Sequence, residues 1–252
     1  MTSTAALADF QELVLATSQH APGGSHGRFS ELLWVDSQTS DPFLNAVTPL
    51  TSVRAPGPAA IERALQACAE TSSPFSWWFH DHLPPAAAAA GFEVAEPTAL
   101  MSLAIPDDDR RLGVNGIVST GHDLTEFFAA ASAGFEDNIL EVSSLVEVFE
   151  PLVRAGTVVP FVVRDSGSVV GTLLLHLGGA EPSRAGIYWV STMPRFRGNG
   201  IASSLVKHAV QHAGTARRTH VVLQSSLMAE RIYQQLGFSL HGYMGIAERG
   251  AD

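Results

Sequence analysis

Pro194-Arg-Phe-Arg-Gly-Asn-Gly-Ile-Ala202 stands between a β-rich run that closes at Thr192 and a segment whose apolar positions 201, 202, 205, 206, 209, 210 and 213 share one helical face. A strand, a glycine loop and a helix start are expected in that order. Gly198 and Gly200 lack a Cβ, so the backbone can take positive φ and turn successive N–H groups toward one point. There the helix N-terminus adds partial positive charge. Such a nest suits a pyrophosphate, and Arg197 can supply a fixed charge or brace the loop.

Glycines before a helix can also mark a plain tight turn, so context decides. A dinucleotide fingerprint needs a third Gly or Ala where Ser203 stands, and an acidic residue at the end of the next strand, which here runs into Gln224-Ser-Ser226. The chain after the loop is also too short for the remaining strands of a doubly wound domain. No Gly-Lys-Ser/Thr follows the loop, so a Walker phosphate loop is excluded as well.

Working outward, residues 112–118, 158–163, 169–177, 187–192, 220–224 and 238–246 read as strands. Residues 124–135, 139–155, 201–213 and 227–236 read as helices. Asp165-Ser-Gly-Ser168 is a hairpin turn. Hairpins first and alternating helix and strand later predict a mixed-sheet α/β (α+β) domain. The first part of the chain predicts a helix over 5–17, a flexible turn-rich stretch at Pro22–Gly27, strands near 32–35, 45–53, 74–79 and 99–105, and helices at 58–70 and 84–90. Pro106-Asp-Asp-Asp109 looks like a boundary, which gives two expected domains, 1–109 and 110–252.

Arg197-Gly-Asn-Gly-Ile-Ala202 resembles the Arg/Gln-x-x-Gly-x-Gly/Ala motif of the GNAT superfamily of acyl-CoA N-acyltransferases. Upstream, Val190-Ser-Thr-Met-Pro194 is similar to the family's fourth strand and the proline after it. Downstream, Ser226-Leu-Met-Ala-Glu-Arg-Ile-Tyr233-Gln-Gln-Leu-Gly-Phe238 is similar to its last helix and Leu-Gly-Phe ending. The match runs over residues 186–246. The resemblance implies a central mixed twisted sheet flanked by helices, acetyl-CoA as co-substrate, and acetyl transfer to a primary amine by direct attack, with no metal.

Carried over residue by residue, the resemblance gives Val190 and Thr192 the pantetheine arm, and the Val190 amide the polarisation of the thioester carbonyl. Arg197, Gly198, Asn199, Gly200, Ile201, Ala202 and Ser203 would cradle the pyrophosphate. Ser226 stands where many relatives carry Asn. Tyr233 corresponds to the frequent general acid, although positions 229, 232, 233 and 236 also form an apolar stripe into which a tyrosine packs. The matching strand has no carboxylate, so the base is sought near the helix junction, at Glu136, Asp137 or Glu141.

Arg54-Ala-Pro-Gly-Pro-Ala59 echoes the same motif, follows a strand-like run and opens a helix. From Arg54 to Phe92 is 38 positions and from Arg197 to Phe238 is 41, as expected of a diverged duplication. Pro56 and Pro58 have no N–H to offer a phosphate, and the short Ala-rich helix has no tyrosine. A degenerate first copy with a scaffolding or acceptor-gating role is expected.

Composition bounds the rest. With 15 Lys and Arg against 25 Asp and Glu, a net charge of −10 argues against a nucleic-acid partner and leans toward a small cationic amine. No stretch has the apolar length of a membrane helix and no secretory signal is visible, so a cytoplasmic protein without a membrane partner is expected, monomeric or homodimeric. Cys68, the single cysteine, excludes an internal disulfide and reads as a buried thiol. The His208/His212 and His80/His82 pairs lack a third ligand, and Ser204-Leu-Val-Lys207 lacks its companion motifs. Two rival readings stay open: a CoA-binding sensor or scaffold without catalysis, and, disfavoured by Gln224, a dinucleotide-dependent oxidoreductase.

Overall fold

Alternation along Phe75-Ser-Trp-Trp-Phe79 sends Phe75 and Trp77 into one hydrophobic cluster and Trp78 into another, so this strand is buried on both faces. It belongs to a twelve-stranded sheet, seen in a computed structural model that describes residues 3–51, 53–105, 118–120, 123–136 and 141–251. The first half runs α1 (Ser3–His20), β1 (Ser25–Phe29), β2 (Leu32–Asp36), β3 (Ala46–Pro49), α2 (Pro58–Ala69), β4 (Phe75–Phe79), α3 (Pro85–Ala89), β5 (Glu93–Val94) and β6 (Thr98–Ala104). The second half runs β7 (Val118–Thr120), α4 (Leu124–Phe135), α5 (Val142–Arg154), β8 (Val158–Asp165), β9 (Ser168–His176), β10 (Arg184–Thr192), α6 (Ile201–Thr215), β11 (His220–Ser225), α7 (Leu227–Gln235) and β12 (Ser239–Arg249). The mixed α/β class expected from the sequence is observed.

Two stretches differ from expectation, the short β5 at Glu93–Val94, not expected as a strand, and the segment before β2. Ser25–Phe29, read as the end of a flexible turn, is a strand paired with β2 from Ser25–Asp36 to Phe29–Leu32. Edge pairing overrides the weak strand preference of its Gly and Ser residues. The expected strand at 112–118 and the boundary at 106–109 fall almost wholly outside the described residues, as does Asp137.

The sheet order is β1-β2-β3-β4-β12-β6-β11-β10-β9-β8-β7, with β5 beside β12. It therefore interleaves the two halves. β6 leaves the first half to lie between β11 and β12, while the end of β12 leaves the second half to lie between β4 and β5. The exchange is reciprocal. Phe92 and Phe238 stand 146 positions apart, and the same interval turns the pair Phe75–Arg249 into Val221–Leu103 and the pair Glu93–Glu248 into Ser239–Ser102. Gly91 and Gly237, related by that interval, share φ values of 89° and 92°. The internal echo in the sequence is thus matched by an equivalence in pairing.

Helices α1, α4 and α5 pack on one face around Phe10, Phe128, Phe149 and Trp189. On the other face α6 and α7 cover Phe161, Leu173 and Leu223. α2 and α3 enclose the smaller cluster of Trp77, Phe92 and Cys68, whose burial pushes the thiol up to about 12. Among the described residues, no helix is long and apolar enough to cross a membrane.

Candidate functional site

The parallel ladder between β10 and β11 runs from Arg184–His220 to Ile187–Leu223 and stops. On the other side of β10 the register to β9 shifts between Tyr188 and Ser191, and Trp189 takes a φ of 47°, a left-handed conformation that is an outlier for a bulky residue. Neither ladder pairs Val190. The bulge therefore turns the Val190 main chain out of the sheet at the point where the strands part.

A cavity of about 440 Å³ opens there. Its walls include Ile187, Tyr188, Trp189 and Val190 from β10, Gln224, Ser225 and Ser226 at the end of β11, and Ala229 and Tyr233 from α7. Phe135 closes one side from the end of α4. Asp41 and Phe43 from the loop between β2 and β3, and Glu248 from β12, bring in the first half of the chain and the exchanged strand.

Tyr233 is 6% exposed, stacked edge-on to Phe238 at 5.7 Å, and burial holds its phenol well above the usual tyrosine range. It stays protonated at any working pH, which suits a donor. In the first half, the position 146 residues earlier is Ala87, which is buried and has nothing to donate.

Beyond Thr192 the chain makes a 3-10 turn at Pro194–Phe196 and enters the glycine loop. Gly198 and Gly200 have φ values of 79° and 76°, and nothing lies within 4 Å of where a Cβ would stand. The first main-chain bond of α6 is donated by Ser204 to Gly200, so the amides of Ile201, Ala202 and Ser203 precede it. Asn199 Nδ2 donates to Phe196 O at 3.0 Å and holds the turn. These residues fit an anion such as a pyrophosphate. The equivalent first-half loop does not, because the Glu31 carboxylate already accepts from the Gly57 amide and Pro58 opens the helix.

Arg197 braces the loop. It donates through Nη2 to Gly134 O at 2.8 Å and through Nε to Thr192 O at 3.3 Å, and its Nη1 lies 2.9 Å from Glu136. Glu136 is therefore committed to an exposed ion pair, and Glu141 stands at the N-cap of α5, where its amide donates to Ser40. Neither is among the residues lining the cavity. Val190 and Ser226 are, whereas Thr192 is not, and Ser226 N-caps α7 without a bond from its own side chain.

Several cavity residues have no local motif to announce them. Tyr188 donates from its hydroxyl to Asp9 Oδ2 at 2.8 Å. Asp9, on α1 and fully buried, also takes His176 Nδ1 at 3.1 Å and Arg184 Nε at 3.3 Å, and Glu12 takes Arg184 Nη2 at 2.6 Å. Burial first, then the Asp9 charge, keeps the Tyr188 phenol protonated. The loop carrying Asp41 and Phe43 is held by the buried Asn45, which accepts from the Ser37 amide and donates to Thr39 O and Asp41 O.

The profile of the GNAT acetyltransferase family matches residues 123–238. No curated protein matches the chain in sequence. Among solved structures, a GCN5-related N-acetyltransferase from Kribbella flavida superposes with a TM-score of 0.67 at 18% identity, over 100% of this chain and 96% of its own. A GCN5-related N-acetyltransferase from Sphaerobacter thermophilus gives 0.56 at 14% identity, over 87% and 80%. A conserved protein of unknown function from Staphylococcus epidermidis gives 0.63 at 13%, over 91% and 95%. At these identities the likeness is one of fold, and it extends across both halves.

Proposed function

We propose, for a chain whose residues 123–238 match the GNAT acetyltransferase family, that the cavity between β10 and β11 transfers acetyl from acetyl-CoA to the primary amine of a small molecule. The observation that carries this reading is the end of the β10–β11 ladder at Ile187–Leu223, with the glycine loop following one strand and Tyr233 on the wall.

Acetyl-CoA supplies an activated acyl carbonyl on a thiol leaving group. The main chain of Val190 would hold the pantetheine arm and direct an N–H at the carbonyl oxygen, where negative charge grows during attack. Amides 198 to 203 and the N-terminus of α6 would hold the pyrophosphate. Tyr233, kept protonated by burial, would donate to the departing sulfur. The attacking amine must lose a proton, and among the described residues the carboxylates on the wall are Asp41 and Glu248 rather than Glu136 or Glu141.

The first half would serve as the acceptor-side wall, with no second acyl-CoA site. Thermal unfolding with acetyl-CoA tests the cofactor reading. A ligand at 100 times its dissociation constant stabilises the native state by about 2.7 kcal/mol, and Gly200→Pro should abolish the shift. Acetyl transfer to a panel of amines, reduced in Tyr233→Phe, tests the chemistry. Stabilisation by CoA without transfer to any amine would point instead to a non-catalytic CoA sensor.

A further inference from the structure

The residues that follow the last pair of the β10–β11 ladder, Ile187–Leu223, are Tyr188 and Gln224, and both stand on the cavity wall. Each donates to helix α1: the Tyr188 hydroxyl to Asp9 Oδ2 at 2.8 Å, and Gln224 Nε2 to Ala6 O at 2.6 Å. Ala6 and Asp9 are three residues apart, so they share one face of a single helical turn, about 4.5 Å apart along its axis. One rigid turn of α1 therefore holds both strand ends where they part.

Helix α1 is itself fixed from two directions. Asp9, fully buried, also takes Arg184 Nε at 3.3 Å from β10 and His176 Nδ1 at 3.1 Å from β9. Two residues on, Gln11 Nε2 donates to Thr48 Oγ1 at 2.7 Å and to Pro49 O at 2.9 Å, both on β3 of the first half. Gly186 leaves the room this arrangement needs, because a Cβ there would collide with the Asp9 carboxylate. Phe10 and Leu13 pack the same helix into the core. It can neither slide nor tilt without breaking bonds to both halves of the sheet.

Resting on the acyl-CoA reading of the cavity, we propose that α1 is a spacer that fixes the width of the cleft between β10 and β11, with Tyr188 and Gln224 as positioning residues. Paired strands are kept about 4.8 Å apart by their ladder, and where the ladder stops that restraint is lost. The helix replaces it. The cleft is then formed before the ligand arrives, and no binding energy goes into prising it open. In this way the first half contributes to the acyl-CoA site through α1, although it holds no acyl-CoA itself.

The test uses the full chain with Tyr188→Phe, Gln224→Met and the double variant. In titration calorimetry with CoA each single variant should bind about ten-fold more weakly, the usual scale for a lost hydrogen bond to a fixed partner. The double variant should bind little more weakly than the worse single, because releasing one strand already undoes the spacer. Losses that multiply would show two independent ligand contacts, and a fall in Tm at unchanged CoA affinity would show plain structural bonds. Either result overturns the proposal. Amide hydrogen exchange without ligand is the second readout. Gln224→Met should speed exchange at residues 188–192 on β10 as well as at 224–226 on β11, and Tyr188→Phe should do the same from the other side. Exchange raised only on the substituted strand overturns the spacer. Gln224→Met leaves the Asp9 cluster whole and carries the test alone if Tyr188→Phe does not fold. A wild type that binds no CoA would remove the acyl-CoA reading by itself, and the exchange pattern would still decide whether α1 spaces the strands.

Discussion

Arg197 donates through Nη2 to the main-chain oxygen of Gly134 at 2.8 Å, so the guanidinium ahead of the glycine loop is joined to the end of α4 rather than held open for a ligand. A Cβ on Gly134 would lie 2.6 Å from Ser191 Oγ, and its absence lets α4 approach β10 this closely. Loop, helix end and bulged strand are therefore one mechanical unit.

Removing the brace should loosen that unit. Hydrogen bonds from a charged donor are worth about 1.5–3 kcal/mol, so Arg197→Ala should weaken acetyl-CoA binding roughly ten-fold or more. The Glu136 pair is exposed and worth about 0–1 kcal/mol, so Glu136→Gln should cost little. Titration calorimetry with acetyl-CoA separates the two. Equal losses would show that the ion pair, rather than the carbonyl bond, holds the loop.

Gly200 offers space but the wrong φ for an L side chain. Gly200→Ala should destabilise the fold by about 1–2 kcal/mol through left-handed strain alone. Gly134→Ala adds overpacking, about 1–3 kcal/mol, and should also displace Ser191. Chemical denaturation gives both values, and a neutral Gly200→Ala would mean that the loop relaxes freely.

Asp9 is buried beneath three donors, one of them the guanidinium of Arg184. Asp9→Ala leaves Arg184 with Glu12 alone and Tyr188 without its acceptor. Breaking a buried pair in this way costs about 3–5 kcal/mol. A thermal scan should show a large fall in Tm, together with lost transfer activity as Tyr188 and the bulge lose their anchor.

Stability should narrow at both ends of the pH scale. Burial lowers His208 and His212 below their ordinary value of 6.5, so the unfolded chain takes up protons first as pH falls through 6.5, and stability drops there. Burial raises Tyr188 and Tyr233 above 10.0, so the unfolded chain loses protons first above pH 10, and stability drops again. Denaturant midpoints across pH should show both limbs, with a shallower alkaline fall in Tyr233→Phe and a shallower acid fall in His212→Gln.

Ending the chain after Met244 removes the stretch of β12 between β4 and β5. Among the described residues, β4 would keep only β3 and β5 would lose its one neighbour, although the deleted residues belong to the second half. Circular dichroism should show loss of cooperative unfolding for the whole protein, and a folded product would mean that the exchange is ornamental.

The local part of this architecture was legible in the chain. Positive φ at Gly198 and Gly200 follows from glycine between a strand and an apolar helix face, and the helix closed by Gly237 follows from Leu236-Gly-Phe238. Periodicity also found most strands, and the spacing from Arg54 to Phe92 hinted at the repeat. The exchange of β6 and β12 was not legible, because pattern fixes a strand's buried face rather than its neighbour. Asp41 and Phe43 were missed for a related reason: an Asn45-held loop has no motif, and it meets Val190 only after the sheet has closed. Gln224 was visible at its strand end, but its meaning lies in the Ala6 carbonyl across the fold.

The reciprocal exchange also bears on how the protein is made. β6 leaves the ribosome with neither of its partners, since β11 and β12 are translated after α4, α5 and four further strands. Until they arrive it presents two unpaired edges of apolar backbone, the kind of surface that templates aggregation. The nascent first half must therefore wait, shielded by α1 or by a chaperone, and slow translation through residues 105–219 would lengthen its exposure.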